Sequence, residues 1–437
     1  AARLLKEGGT RVVLLDSFND YYDQRLKLRN VQGLLSLAGQ PGLCCLEHVD
    51  IRNEAALHRI MQKYAPIAGM IHLAARAGVR PSIQQPALYQ AVNVLGTQRI
   101  FNACLAVGVP HILYASSSSV YGAKAAGPFE ESWMLSPPES PYAATKVENE
   151  AEARRRAAEH PTTNFVGFRF FTVDGPYPVE GLPPGRPDMA VATFIRSLLG
   201  PIQPSTALTL YGDGSYRRDF TYVDDIVSGI LGALTTASDG RLPTNCEVYN
   251  LGEEDTTSVA RVVLMLAQEC GLLSPAYRWR NLKEDVTQEE CALMMQELMA
   301  TGRVISVPAP PGDVPLTHAS IEKAKRELAY RPHTQIAANL RRAVLAALIA
   351  EEEGGGAEGQ DAALLQDGVR YLSLHEAVDG FDDSGECVER ALSPSEMAEC
   401  QAMLERCEQS RAMGNPDPLL EWLTHNVAAL MQKRVSE

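Results

Sequence analysis

The sequence has no run of about 18 apolar residues, so no segment reads as a membrane-crossing helix. Its nine cysteines (44, 45, 104, 246, 270, 291, 387, 400 and 407) form no Cys-x-x-Cys pair and no regular spacing. This argues against a disulfide scaffold and a zinc module, and favours reduced thiols in a cytoplasmic setting. No metal site is expected. Basic excess is missing too: 40 Lys and Arg stand against 54 Asp and Glu, a net charge of −14. Nucleic-acid binding, which needs a basic face, is therefore not expected. The acidity is local. Residues 351–437 hold 19 acids and 6 bases, leaving 35 and 34 to the first 350 residues. Also missing are an initiating Met and a glycine-rich loop ahead of the first apolar strand pattern. The chain reads as lacking a first strand and a GxxGxxG-type loop, and a leader or anchor ahead of Ala1 stays open.

What is present is an alternation of strand and helix patterns. Residues 1–7 read as a helix end closed by Gly8-Gly9, and 11–16 as a short strand ending in Asp16. Strands follow near 46–51, 67–75, 111–115 and 166–171, with helices near 53–64, 86–107 and 141–160. Strands separated by helices predict a parallel, doubly wound sheet, which binds ligands beyond its strand C-termini. Two such ends carry polar residues: the run Ser116-Ser117-Ser118-Ser119, and Thr172. The segment Pro141-Tyr142-Ala143-Ala144-Thr145-Lys146 places a tyrosine and a lysine one helical turn apart. A phenol, with an ordinary pKa near 10, becomes a usable base beside an ammonium, which favours the phenolate. With a serine hydroxyl on the reacting oxygen, such a set removes a proton from an alcohol while hydride leaves its carbon.

These pieces stand in a recognisable order: LLDSFNDYYD (14–23), IHLAARAGVRPS (71–82), YASSSSVYG (114–122), SPYAATKVENE (140–150), GFRFFTV (167–173), GRPDMA (185–190), YRRDFTYVDDIV (216–227), YNLG (249–252) and PGDVPLT (311–317). Over residues 1–350 the chain resembles the extended short-chain dehydrogenases/reductases of the NAD-dependent epimerase/dehydratase family, and most closely their UDP-glucuronate 4-epimerase branch. The resemblance implies a Rossmann-like α/β fold. Residues 1–175 would bind NAD, 176–350 would form a smaller UDP-sugar lobe, 351–360 an acidic Gly-rich linker, and 361–437 an acidic helical extension. It implies Tyr142 as base, Lys146 on the nicotinamide ribose and Ser117 as the hydroxyl of the triad. Asp16 would hold the adenosine ribose, Asp50 and Ile51 border the adenine, and Leu73, Ala74 and Ala75 line the phosphates with Asn93 nearby. Ser118, Ser119, Thr172 and Arg186 would face the hexuronate, and Arg218 the pyrophosphate, for which its planar fork is suited. A homodimer through the helices near 86–107 and 141–160 is also implied. Plainer readings stand beside these: Asp50 as a helix cap, Thr172 as a strand-end turn, Arg218 as a surface partner of Asp219, Asp224 or Asp225, and Arg80 as substrate contact or structure.

The implied reaction is 4-epimerisation of UDP-glucuronate through a 4-keto sugar. A 4-ketone lies β to the C5 carboxylate and invites loss of carbon dioxide, so the carboxylate must be clamped. A dehydratase or decarboxylase is expected to carry acids after Ser117, where this chain has Ser118 and Ser119. The alternatives are a decarboxylase, a hexose 4-epimerase, or an inactive sugar-nucleotide scaffold. Departures from the family pattern are a Pro/Gly-rich loop at 174–184, an extra acidic, helical stretch at 281–306, and Pro310 where a polar side chain is common. In the tail, Ser393-Pro394-Ser395-Glu396 forms a capping box, followed by a stripe of Met397, Cys400, Leu404 and Cys407. Asp417-Pro418 starts a second helix with Leu420, Leu423, Val427 and Leu430 on one face. This hairpin needs a partner: the body of the chain, which is the favoured reading, a second subunit or another protein.

Overall fold

The computed structural model describes residues 1–123, 127–175, 189–203, 205–274, 277, 280–283, 285–309, 314–333 and 335–353. In the tail it describes 367, 370–371, 374, 380–381, 387–389, 392–412, 423–424, 427–428 and 430–431. They pack as two units, one built on residues 1–56 with the stretch from 350 onward, the other on 57–179 and 184–349. Among the described residues no helix is long and apolar enough to cross a membrane.

The first unit opens with α1 (Ala2–Glu7), ended by Gly8 at φ +76°, a conformation that favours glycine. There follow β1 (Val12–Asp16), α2 (Gln24–Ala38) and β2 (Cys44–His48). The two strands are parallel, with Asp16 opposite His48. Asp23 caps α2 by accepting the Arg25 N–H, and Gly39 closes it in the left-handed region. The chain enters the second unit within α3 (Glu54–Tyr64), capped by Asn53, which accepts the Ala56 N–H at 3.0 Å.

The second unit carries a four-stranded parallel sheet. In chain order it contains β3 (Met70–His72), α4 (Val79–Gln84), α5 (Pro86–Tyr89), a π-wound turn (Gln90–Leu95), α6 (Gly96–Ala106) and β4 (His111–Ser117). A 3₁₀ turn (Ser118–Tyr121), α7 (Pro141–Glu159) and β5 (Asn164–Phe170) follow. Then come β6 (Thr172–Asp174), α8 (Ala190–Leu199), β7 (Leu208–Tyr211), β8 (Arg217–Arg218), β9 (Phe220–Tyr222), α9 (Val223–Ser238) and β10 (Cys246–Leu251). The strand order is β10-β5-β4-β3, the parallel arrangement the alternation predicts. Its core packs Leu113, Val166, Phe168 and Tyr249 against Ile226 and Ile230 of α9.

The rest of this unit is β11 (Thr257–Ser258), α10 (Val259–Glu269), α11 (Gln288–Ala300), β12 (Val304–Val307), α12 (Glu322–Leu328) and α13 (Ile336–Glu353). Of the stretch at 281–306, read as helical, Gln288–Ala300 forms α11, while Val304–Ser306 belongs to β12. Thr287 and Glu290 cap α11 reciprocally, and β12 then pairs in parallel with β7. The single helix expected at 86–107 is instead α5, the π-wound turn and α6. Pro86, which has no N–H to donate, starts the run, and the wider turn rotates Asn93 inward.

The tail returns to the first unit. Its long helix, α14 (Pro394–Ala412), has the expected capping box: Ser393 Oγ accepts the Glu396 N–H, and Glu396 Oε2 accepts the Ser393 N–H at 2.8 Å. The buried stripe is Cys400, Met403 and Cys407. Met403 is fully buried and Leu404 only partly so, because the i, i+3, i+7 row faces the contact. Leu423, Val427 and Leu430 join it, and their partner is the chain's own β1–α2–β2 segment through Phe18, Leu28, Val31 and Leu46. Leu420 and Asp417-Pro418 lie outside the described residues.

Candidate active site

The site in the second unit begins with the start of one helix. Ser140 caps α7 by accepting the Ala143 N–H at 3.1 Å, and Pro141 takes the first helical position. Tyr142 thereby sits in the first turn and Lys146 one turn later. Lys146 is 3% exposed, and its Nζ donates to the Ala115 carbonyl of β4 at 2.9 Å. Among the described residues it has no carboxylate partner. An ammonium has three donors, so two remain for a ligand. Burial holds its pKa down to about 8. Nζ lies 5.8 Å from the centre of the Tyr142 ring.

The bond to Ala115 ties α7 to the strand end that carries the serines. Side chains alternate there. Ser116 turns inward and donates to Glu150 Oε1 at 2.6 Å. Ser117 takes the opposite side, and its Oγ accepts both the Ser119 N–H at 3.2 Å and the Ser119 hydroxyl at 2.9 Å. A hydroxyl has two acceptor positions and one proton. With both acceptors engaged, Ser117 is left as a donor, which is what polarising a substrate oxygen requires. Ser119 is thus engaged with Ser117, whereas the hydroxyls of Ser118 and Thr172 have no partner among the described residues.

Leu73 is 52% exposed at the end of β3, and Ala74 and Ala75 are exposed beside it. An uncovered leucine and two small residues at a strand C-terminus suit a flat cofactor surface. Asn93 is not on that surface. It is 0% exposed, accepting the Arg76 N–H at 2.7 Å and donating to the Arg76 carbonyl and Thr145 Oγ1. It therefore positions the loop after β3 against α7. Beneath it, His72 bonds Thr97 at 2.9 Å, and burial, with the Lys146 charge second, pushes its pKa down to about 3, so the ring is neutral.

Arg218 lies 5.8 Å from the Tyr216 ring and donates to the Arg217 carbonyl. Asp219, the neighbour expected as a possible surface partner, is 0% exposed and accepts from Glu253 N, Glu254 N, Ala319 N and the Thr221 hydroxyl. Its carbonyl also accepts the Thr172 N–H, which fixes Thr172 relative to β8. Burial pushes its pKa up to about 6 against those four donors. Arg80 stacks 4.0 Å above the Tyr211 ring and donates to its hydroxyl, a structural contact. Arg186, Pro310 and most of the 174–184 loop lie outside the described residues.

In the first unit, Asp16 is exposed at the end of β1, with Oδ1 accepting the Phe18 N–H at 2.7 Å. Asp50 holds Arg52 through both oxygens, so it neither caps α3 nor presents an open carboxylate, and Ile51 is buried at 7% exposure.

Three contributors escape the sequence reading. Tyr89 stands edge-on to Tyr142 at 6.4 Å and anchors the loop through the Ala77 carbonyl. Asp219, read from the sequence only as a surface partner of Arg218, is the second in its buried bridging role. The third is the buried pair Glu150–Arg169, extended through Tyr121 to Asn250. Only Arg169 left a trace, as a charge inside the apolar run Phe168-Arg169-Phe170-Phe171.

A family model described as the NAD dependent epimerase/dehydratase family matches residues 1–252. UDP-glucuronate 4-epimerase 3 of Arabidopsis thaliana is 35% identical over 349 residues, spanning 77% of this chain and 71% of its own. A UDP-glucuronate 4-epimerase of Thermodesulfobacterium geofontis is 32% identical over 343 residues, spanning 78% and 89%. Among solved structures, UDP-glucuronic acid 4-epimerase from Bacillus cereus, in complex with UDP-glucuronic acid and NAD, superposes with a TM-score of 0.61. It is 28% identical and covers 79% of this chain and 94% of its own.

Proposed function

The chain belongs to the NAD-dependent epimerase/dehydratase family, and from that premise we propose that it interconverts UDP-glucuronate and UDP-galacturonate by inverting C4 through a 4-keto sugar. The observation that carries the mechanism is the buried ammonium of Lys146, held by one carbonyl and one helical turn from Tyr142.

NAD, when bound, supplies reversible hydride acceptance at C4. The residues fit it: Lys146 has two spare donors for the nicotinamide ribose, and Leu73, Ala74 and Ala75 offer an uncovered strand end. In the first unit, Asp16 is the candidate for the adenosine ribose. Tyr142 takes the proton from the 4-hydroxyl and returns it after the sugar has turned. Lys146 favours the phenolate by charge, and Ser117 donates its remaining proton to the same oxygen. Thr172 and Ser118, whose hydroxyls have no partner among the described residues, bond the C5 carboxylate and hold it out of line with the ketone. Arg186 joins them in this reading, Ser119 acts by orienting Ser117, and Arg218 meets the pyrophosphate. Asp50 and Ile51, taken up by Arg52 and by burial, are not carried forward as cofactor contacts. Residues 1–175 then serve the cofactor and 176–350 the nucleotide sugar. The working form is a homodimer through the helices near 86–107 and 141–160, where Leu95 is 37% exposed, with Ile83 of the preceding α4 at 56%.

The test is to supply NAD and UDP-glucuronate and resolve the sugar nucleotides formed. UDP-galacturonate is the expected product. A UDP-pentose would mean that the keto acid loses carbon dioxide, and unchanged substrate would overturn the reading.

A further inference from the structure

The tail packs onto the part of the first unit that presents Asp16, and the turn after Asp16 is strained. Phe18 sits at φ +49°, a left-handed conformation that bulky residues avoid. The polypeptide is drawn into it from several sides. The Phe18 N–H donates to Asp16 Oδ1 at 2.7 Å, the Phe18 carbonyl accepts from Gln24, and Lys27 reaches the Asn19 carbonyl at 2.6 Å. Those bonds are local. What holds the ring is not. Phe18 is 1% exposed and stands edge-on to His48 at 5.7 Å, and His48 stands edge-on to Tyr371 of the tail at 5.7 Å. His48 also bonds the Ser17 carbonyl at 3.1 Å. The cluster around Phe18 draws most of its fully buried members from the tail, Cys400, Met403 and Cys407 of α14 among them.

We propose that the C-terminal extension is an intramolecular strap that fixes the Asp16–Phe18 turn, with Phe18 as the positioning residue that aims the Asp16 carboxylate. A strained residue persists only where its surroundings over-determine it. Here the tail completes the pocket for the Phe18 ring, and the ring sets the backbone from which the Phe18 N–H orients Asp16. Oδ1 is committed to that N–H, so Oδ2 is left for a ligand. The consequence for cofactor binding rests on the ribose role given to Asp16 above. The strap itself does not.

Two readouts separate them. Hydrogen exchange of the full chain, compared with Tyr371→Ala and Met403→Ala, reads the turn directly. Amides 17–19 should exchange on the order of tenfold faster in both variants, with β4 and β5 unchanged as the control for global unfolding. Phe18→Gly supplies the second check, because glycine adopts this φ without strain. In that background, Tyr371→Ala should change exchange at 17–19 little. If α14 loosens while amides 17–19 keep their native protection, the tail is a passenger and the strap is overturned. NAD titration of the same variants addresses the ribose role. Affinity falling with the turn's protection supports both ideas. A loosened turn with unchanged NAD affinity keeps the strap and removes Asp16 as the ribose contact.

Discussion

At the residue scale the chemistry turns on a cation kept out of water. Lys146 makes one carbonyl bond and has a pKa pushed down to about 8 by burial, so its charge is lost within an accessible pH range. The sign follows directly. Below pH 8 the ammonium is present and favours the Tyr142 phenolate. As pH rises through 8 the ammonium releases its proton and that support disappears. The profile of kcat/KM, which reports groups of the free enzyme, should therefore fall on its alkaline side near pH 8. Lys146→Arg keeps a permanent charge. It should lower activity, because a guanidinium does not fit the ammonium's place, yet move the alkaline limb upward. A limb that stays near pH 8 would assign it to another group. Tyr142→Phe should reduce kcat by about 10²–10⁴-fold while UDP-glucuronate binding, measured by calorimetry, stays near the native value. Retained turnover would remove Tyr142 as the base.

At the element scale the strand ends work because a polar network fixes β4, β5 and α7 from behind. Arg169 of β5 is 2% exposed and forks onto Glu150 of α7, which also accepts from Ser116 of β4. Burial alone would lower the Arg169 pKa, but the Glu150 bonds and charge raise it, so the guanidinium stays charged. Replacing Arg169 leaves the buried Glu150 carboxylate with only the half-exposed Arg154, at 3.3 Å, as a cation partner among the described residues. Arg169→Met should cost about 3–5 kcal/mol in urea unfolding, and Arg169→Met with Glu150→Met should recover much of that loss. A double variant no more stable than the single would mean that the hydrogen bonds matter more than the ion pair. The elements themselves were legible in the sequence, because their signals are local. Ser140 and Pro141 announce α7, and the apolar run at 111–115 announces β4. Orientation was not legible. Asn93 carries the same residue type on either side of a helix, and only the π-wound turn decides that it faces Arg76 and Thr145. Asp50 was equally ambiguous, since a neighbouring Arg52 can leave or take its carboxylate and here takes both oxygens.

At the scale of the whole molecule, two apolar surfaces find different answers. The tail's stripe, visible in the sequence as a face in need of a partner, is covered by the chain's own first unit through Phe18, Leu28, Val31 and Leu46. No spacing rule could name that partner, because it lies more than 350 positions away in sequence. The run 79–106 buries Tyr89, Ile100, Phe101 and Cys104 but leaves Ile83 and Leu95 outward at 56% and 37% exposure. Its neighbour α7 is held alongside through Gln90 and Glu148 at 2.8 Å. The proposed homodimer uses this face. Sedimentation at micromolar concentration should give the mass of two chains. Ile83→Asp places a charge where a dimer would exclude water and should shift the mass toward one chain, because an unpaired buried charge is costly. Unfolding midpoints should be unaffected in the first unit, where exchange at amides 17–19 reports the tail's hold on Phe18. A native mass of one chain would overturn the dimer. A dimer that survives Ile83→Asp would move the interface elsewhere on the surface.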